Sequence, residues 1–172
     1  MMECITDFNC LETVAKLAPI GTALIALSAA INALLAILAQ MHIARRRAAI
    51  DFFLKTEIDK TAIDLYKTFK AKAPLITSIP DPVLDVERRN AYEDIRAFLN
   101  ICELIAVGVR KRAFSKSVSK AYWGDVIPSS YQTAKQLIDD IRRTPGEGSR
   151  YTYIDLEKLA KKWAKKDVKA TG

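Results

Sequence analysis

The sequence has almost no histidine. Its single one, His42, lies at the end of a long apolar run, so none is left for the rest of the chain. Ser-His-Asp and Cys-His catalysis both need a histidine base, and ordinary structural zinc sites need clustered cysteine and histidine. No CxxC pair is present. These absences predict a protein without catalytic residues, bound metal or cofactor.

Phosphate-binding loops and paired carboxylates are missing as well. The 6 glycines form neither GxGxxG nor GxxxxGK, the motifs whose backbone N–H groups cradle phosphate. The adjacent acids Glu93/Asp94 and Asp139/Asp140 point apart on a helix and are expected on the solvated surface. We therefore predict that the protein is not an enzyme.

Cysteine is scarce, with 3 in the chain. Cys102 falls in an apolar helical pattern, where a thiol packs as a small hydrophobe. Cys4 and Cys10 flank a short N-terminal segment and would pair only in an oxidising compartment, where so short a loop adds little stability. Whether these two are paired stays open.

Charge is missing altogether from Leu17 to Ala44, a run of 28 residues without Asp, Glu, Lys or Arg. A bilayer core about 30 Å thick needs roughly 20 apolar residues of helix. We predict one transmembrane helix over residues 17–44, preceded by a short segment, residues 1–16, and followed by one small domain, residues 45–172. The alternative is a buried core helix.

The residues beside this run predict its orientation. Arg45, Arg46 and Arg47 follow it directly, whereas acids outnumber Lys16 before it. Lys and Arg next to a span stay on the cytoplasmic side and meet lipid headgroups there. We expect a single-pass protein of the bacterial inner membrane, with its N-terminus outside and its C-terminal domain in the cytoplasm. The leader lacks the basic n-region of a signal peptide, so the anchor is expected to stay uncleaved.

A polar face runs along the predicted span. Ser28, Asn32 and Gln40 share it because they are spaced by multiples of four, and Gly21 lies seven residues before Ser28. Small and amide side chains are typical of helix–helix contacts in lipid. This face predicts a homo-oligomer, with a pore lined by the same face as a second hypothesis. The alternative is that each polar group bonds a carbonyl of its own helix.

Beyond Ala44 the sequence predicts only helices. The fold class is therefore all-α, with the membrane helix continuing into a cytoplasmic bundle of about five helices. The longest of them has one apolar stripe and is expected at the centre of the domain core; the stripe consists of Ala91, Ile95, Phe98, Cys102, Ile105 and Val109. Arg96, Asn100 and Glu103 lie beside this stripe at i, i+4 and i+7. We interpret these three as a buried polar cluster, either structural or lining a pocket, in which Glu103 pairs with a cation. The predicted helices are residues 45–54, 59–72, 85–113, 117–122, 131–143 and 153–166, with a loop at 72–83.

The chain is basic, with a net charge of +7: residues 1–44 carry −2 and residues 45–172 carry +9. Anionic lipid is the first expected partner and nucleic acid the second. The last predicted helix carries a basic tail, namely Lys161, Lys162, Lys165 and Lys166. We expect this tail in water or against lipid. The alternative is an RNA grip in which Tyr151, Tyr153 and Trp163 stack on bases, although Trp163 lies on the apolar face.

Several segments together resemble a known family. They are RRRAAIDFF after the span, NAYEDIRAFLNICELIAVGVRKRAFS with Asn100 and Glu103, then AYWGDVIP, and the terminal YIDLEKLAKKW. Over most of residues 45–166 the chain resembles the bacterial and phage family known as domain of unknown function 4760. The resemblance implies a small helical domain with a membrane anchor, and it implies no known activity.

The architecture is also similar to that of membrane accessory proteins of RNA-targeting CRISPR systems, which oligomerise into pores. Their relatives carry a nuclease motif that pairs an arginine with a histidine, and no histidine follows any arginine of this domain. The first functional hypothesis is a protein that acts at the membrane by self-assembly or by protein–protein interaction. The second is an oligomeric pore or effector in antiphage defence, and the third is a membrane-tethered RNA-binding module.

Overall fold

A computed structural model of the chain describes the backbone of residues 8–81 and 84–168 and the side chains of residues 19–81 and 84–164. Over those residues the secondary structure is helical without any strand, which confirms the all-α prediction. The side chains of Cys4, Cys10, Lys165 and Lys166 lie outside the described residues, so the question of a Cys4–Cys10 pair stays open. The elements are α1 (Phe8–Ile58), α2 (Lys60–Lys72), a short 3-10 helix (Ala73–Leu75), α3 (Val86–Arg110), α4 (Lys116–Trp123), α5 (Val126–Arg143) and α6 (Ile154–Val168).

The chain divides into two units, Met1–Ala44 and Arg45–Gly172. The described part of the first unit belongs to α1, and its large apolar side chains from Ile20 to Ile43 are 44–70% exposed. Among the described residues, α1 is the one helix long and apolar enough to cross a membrane. So large an apolar surface needs lipid or protein to cover it.

The second unit has a core of its own, centred on α3. Ile95, Phe98 and Cys102 of α3 are at most 1% exposed, as the predicted apolar stripe requires. Residues of α2, α5 and α6 join the same cluster, including the fully buried Trp163. The spacing of apolar residues along α3 therefore identifies the centre of this unit correctly.

The last part of α1, beyond Arg45, packs into a smaller second core of the same unit. Ala49 and Phe53 are buried there together with Ile105 of α3. The rings of Phe52 and Phe114 lie beside them with centroids 5.2 Å apart. These contacts hold the end of α1 against α3 and against the connection that leads to α4.

The chain turns back on itself where α3 ends. Arg112 has a φ of 60°, and the N–H groups of Ala113 and Phe114 both donate to the carbonyl of Gly108, at 2.9 and 3.0 Å. This return lays the ring of Phe114 on Gly108, where a Cβ would overlap it. The helix predicted to reach residue 113 therefore stops at Arg110, and Gly108 is needed for a close approach within the helix.

α5 begins earlier than predicted. The sequence predicts that this helix starts at Tyr131, because Pro128 is typical of a break, whereas the helix begins at Val126. Pro128 occupies the first turn, where a backbone N–H has no partner within the helix and its loss costs nothing. The prediction is wrong because it did not distinguish the first turn of a helix from its interior.

Candidate functional site

The polar face of the predicted span lies on exposed surface of α1. The hydroxyl of Ser28 donates to the carbonyl of Ile25 at 2.8 Å, so this group is satisfied within its own helix. The side-chain amides of Asn32 and Gln40 are exposed and have no hydrogen-bond partner among the described residues. The space around Gly21 is open to 4 Å from an added Cβ. The hydroxyl of Ser28 is therefore satisfied within its own helix, whereas the amides of Asn32 and Gln40 are unsatisfied. Gly21 leaves open space on the helix surface.

The two unsatisfied amides differ in their distance from the end of the apolar run. Asn32 precedes Arg45 by 13 residues, which is roughly 20 Å along a helix, whereas Gln40 precedes it by only about 7.5 Å. With arginines at the membrane surface and a hydrocarbon layer about 30 Å thick, Asn32 would lie well inside that layer. Gln40 would lie close enough to the surface for water to reach its amide.

The arginines that follow the span have different surroundings. Arg45 is half-buried, and its carbonyl accepts the N–H of Ser115 at 3.2 Å. Arg46 and Arg47 are exposed. The first arginine is therefore tied into the helical unit, while the next two are exposed.

The polar residues predicted as one cluster on α3 are separated in the structure. Arg96 and Glu103 are half-buried but contact different partners, and Asn100 is exposed. Asn100 follows the buried Ile95 by five residues, which is about 140° around the helix, so it lies on the side away from the buried stripe. The single buried cluster is therefore not formed, and Glu103 accepts backbone N–H groups where a cation was expected.

Arg96 holds a residue of the α5–α6 connection. Its Nη1 lies 2.9 Å from Oε2 of Glu147, and its Nη2 donates to the Glu147 carbonyl at 3.1 Å. Arg89 contributes an ion pair to Glu147 at 3.1 Å, and the hydroxyl of Tyr92 donates to it at 2.9 Å. Burial alone would raise the pKa of Glu147, but the bonds from Tyr92 and Arg89 and the charge of Arg96 lower it. Charged hydrogen bonds of this kind are strong, so they fix the connection on α3.

Glu103 caps the N-terminus of α6. Its Oε1 accepts the N–H of Asp155 at 3.2 Å and its Oε2 accepts the N–H of Leu156 at 2.6 Å. These N–H groups have no partner within α6, and a carboxylate placed there also meets the positive end of the helix dipole. Burial raises the pKa of Glu103 above its ordinary value despite these bonds. In the described part of the chain, no group of three or more His, Cys, Asp and Glu could hold a metal ion.

The basic tail on α6 is only partly free. Lys161 is bonded to Glu157, which also pairs with Arg142 at 2.8 Å. The hydrogen bond from Lys161, helped by Arg142, lowers the pKa of Glu157 to about 2. Lys162 is exposed. One lysine of the tail therefore belongs to an ion-pair network that joins α5 to α6.

The aromatic residues considered for base stacking are mostly inside the unit. Trp163 is fully buried and Tyr153 is 3% exposed, so neither offers a ring face to a base. Tyr151 is 60% exposed, and the guanidinium of Arg150 lies over its ring at 4.7 Å. One exposed aromatic residue is a weak platform for single-stranded RNA, which is bound by successive stacked bases.

A cavity of about 160 Å³ lies between the helices of the second unit. Its walls come from the end of α1 and from α2, α3, α4 and α5, so no local pattern in the sequence could have located it. Most of its lining is aromatic or aliphatic. The lining residues are Thr56, Glu57, Ala62, Ile63, Tyr66, Phe98, Ile101, Tyr122, Trp123 and Val126.

Comparison with known proteins identifies the family. The family model described as "Domain of unknown function (DUF4760)" matches residues 23–163, which include most of the apolar part of α1 and the helical unit as far as Trp163. No curated protein and no solved structure matches the chain. The comparisons thus confirm the first resemblance and do not show the second, to CRISPR accessory proteins. Since the match covers well over half of its length, this chain belongs to the DUF4760 family, whose function is unknown.

Proposed function

We propose that this protein is a single-pass membrane anchor that acts by self-association and protein–protein contact, without catalysis of its own. In this proposal α1 crosses the bacterial inner membrane with the N-terminus outside. The helical unit lies in the cytoplasm, and Arg46 and Arg47 face anionic headgroups at the exit. The membrane-spanning segments of several copies form the contact.

The amide of Asn32 is the observation that carries the proposal. It is exposed on an apolar helix and has no hydrogen-bond partner among the described residues. Hydrocarbon offers no donor or acceptor, so an unpaired amide at that depth is costly. Ser28 lies one turn away and satisfies its hydroxyl on the carbonyl of Ile25, which leaves Asn32 as the deep group that needs a neighbour.

A second copy of α1 is the simplest neighbour. An asparagine amide has donors and an acceptor, so the same residue on a parallel helix can satisfy it. Ala29 and Ala36 lie within about 60° of Asn32 around the helix and permit a close approach of the backbones. Such contacts are each worth roughly 0.6–2 kcal/mol in lipid, which is enough to shift an oligomer equilibrium when several are made together.

The test is the size of the full-length protein in mild detergent, measured by light scattering. Wild type is expected to be a homo-oligomer, and Asn32→Leu should shift it towards monomer while the helical content stays unchanged by circular dichroism. Ser28→Ala is the matched control, since its hydroxyl is already bonded within the helix and its loss should leave the size unchanged. A monomeric wild type refutes the proposal, as does an Asn32→Leu variant of unchanged size.

A pore is the second candidate, because Asn32 and Gln40 both present unbonded amides on the surface of the predicted span. A small ring of helices would bury these amides between its members, whereas a larger ring would leave them facing water. Conductance across a planar bilayer distinguishes the two. An oligomer of wild type that never conducts ions eliminates the pore.

The orientation is tested with a single reporter cysteine. Ser149 lies in the exposed α5–α6 connection, and Cys102 is buried and should stay silent. In a variant with Cys4 and Cys10 replaced, Ser149→Cys should resist a membrane-impermeant maleimide in intact cells and react after permeabilisation. Ready labelling of intact cells would place the domain outside and overturn the proposed orientation.

A further inference from the structure

The cavity in the second unit has aromatic walls and an opening to solvent. Phe98 is one of the lining residues, and its ring centroid lies 5.3 Å from that of Tyr66 and 6.3 Å from that of Trp123. Tyr66 is 36% exposed and Tyr122 is 47% exposed, so the side formed by the two tyrosines is open. These four rings leave an apolar space of about 160 Å³ that a small molecule can enter from outside.

The charge at this opening is negative. Glu57 is the only one of the ten lining residues that carries a charge at neutral pH. Its carboxylate is exposed and has neither an ion pair nor a hydrogen bond within the described residues. The hydroxyl of the neighbouring Thr56 is already bonded to the carbonyl of Phe52 at 2.8 Å. In a chain of net charge +7, this cavity is thus lined by an unpaired acid and by no base.

We propose that the cavity binds an organic ammonium group, such as a trimethylammonium. The faces of aromatic rings carry negative potential and attract cations, and tryptophan and tyrosine are the best rings for this purpose. A cavity of about 150 Å³ is known to hold a benzene molecule, and a trimethylammonium group is of similar size. Inorganic cations are excluded because the walls have no set of oxygen ligands to replace their water.

One ring of the site already shows this behaviour. The ammonium of Lys70 lies over the ring of Tyr66, 5.9 Å from its centroid. Lys70 is not part of the cavity lining, so the rings of Tyr122 and Trp123 and the carboxylate of Glu57 remain for a ligand. A neutral apolar ligand would fit the same volume but would gain nothing from Glu57, which makes charge the property to test.

The experiment compares choline with 3,3-dimethyl-1-butanol, in which a carbon atom replaces the charged nitrogen. Both are titrated into the full-length protein in a maltoside detergent, with calorimetry and tryptophan fluorescence as readouts, since Trp123 lines the cavity and Trp163 does not. Choline should bind about tenfold more tightly than the neutral alcohol, since a partly desolvated cation–π contact is worth about that much. Equal binding of the two, or no binding of choline at millimolar concentration, overturns the proposal.

Substitutions then test the residues. Glu57→Gln should weaken choline by about three- to fivefold, because it removes an exposed charge near the cation, and this loss should shrink at high salt. Tyr122→Leu should weaken choline about tenfold and the neutral alcohol much less. Asp51→Asn is the matched control, because Asp51 is exposed on the same helix, lies outside the lining and has no ion pair among the described residues. An effect of Asp51→Asn equal to that of Glu57→Gln would refute a local site.

The ammonium group has two sources, a free amine and a lipid headgroup. A phosphocholine-headed detergent added to the maltoside micelles distinguishes them. Competition with free choline shows that a headgroup reaches the cavity. Unchanged choline affinity assigns the site to a soluble amine. The self-association tests with Asn32→Leu are independent of either result.

Discussion

Removal of the Glu103 carboxylate tests the contact between α3 and α6. In Glu103→Ala the N–H groups of Asp155 and Leu156 both lose the acceptor that now binds them. In Glu103→Gln one neutral oxygen remains as an acceptor. The two variants therefore separate the loss of the hydrogen bonds from the loss of the charge.

The magnitude follows from the surroundings of the carboxylate. Loss of a helix cap costs about 0.5–2 kcal/mol, and an unsatisfied buried donor costs about 1–3 kcal/mol. Because Glu103 is half-buried, water can replace part of what is lost, and we expect Glu103→Ala to cost about 1–2 kcal/mol. Burial raises the pKa of Glu103, so the folded state disfavours its ionised form relative to the unfolded state. Glu103→Gln is neutral like the protonated acid, and it should therefore cost less than Glu103→Ala at pH 7.

The sign of the pH dependence follows from the same shift. A carboxyl group with a raised pKa in the folded state binds its proton more tightly there, so its contribution to stability grows as the pH falls through that pKa. The difference in unfolding free energy between wild type and Glu103→Gln should therefore change in favour of wild type on acidification.

The assay is thermal unfolding of the full-length protein in detergent, followed by near-ultraviolet circular dichroism and tryptophan fluorescence. Trp163 lies on α6 and is fully buried, so it reports release of that helix. For a domain of this size about 1 kcal/mol moves the midpoint by roughly 4 °C, so Glu103→Ala should lower Tm by about 4–8 °C.

The control for this experiment is Asp94→Ala on the same helix. Asp94 is exposed and has no ion pair among the described residues, so its loss should leave Tm within about 1 °C. A Glu103→Ala variant with the same Tm as wild type would show that the contact with α6 contributes nothing to stability. A Glu103→Gln variant less stable than Glu103→Ala would refute the argument from burial.

Three further predictions concern the helical unit. Phe98→Ala should lower the unfolding free energy by about 3–5 kcal/mol in denaturant titration, because it empties the centre of the core; a loss below about 1 kcal/mol would contradict that placement. Gly108→Ala should cost about 1–3 kcal/mol, because the new Cβ meets the ring of Phe114. The double variant with Phe114→Leu should be destabilised by less than the sum of the two single variants, and strict additivity would speak against the contact. Since the pKa of Glu157 is lowered to about 2 from 4.5, its contribution is present above pH 4.5 and lost as the pH falls towards 2. In Glu157→Gln the unfolding free energy should therefore decrease less between pH 5 and 3 than in wild type. An equal decrease would show that Glu157 does not cause the loss of stability in acid.

Features that depend on one helix could be predicted from the sequence. The apolar run of α1 and the spacing of Ile95, Phe98 and Cys102 are local patterns, and the structure has them as expected. Asp59 caps α2, with its side chain 2.8 Å from the N–H of Thr61, as its position before an apolar helical pattern suggests. Such features need no knowledge of distant residues.

Features that join distant parts of the chain could not be predicted. Glu147 stands between two glycines and resembles an ordinary turn residue, yet its partner Arg96 is 51 residues away. The role of Gly108 likewise appears only once the chain has turned and placed Phe114 upon it. The sequence predicts that Glu103 is a buried acid that needs a partner, but the partner is the backbone of α6, which no side-chain pattern reveals.

Most charged side chains of α3 form ion pairs or hydrogen bonds within the protein, so they are poor candidates for ligand binding. Arg96 and Arg89 hold Glu147, and Glu103 holds the start of α6. Groups that are satisfied in this way have little left to offer a ligand. Two polar groups that the described structure leaves without a partner lie outside α3, namely the amide of Asn32 on the predicted span and the carboxylate of Glu57 at the aromatic cavity. We propose a different chemistry for each, a second amide in lipid for Asn32 and an organic cation for Glu57.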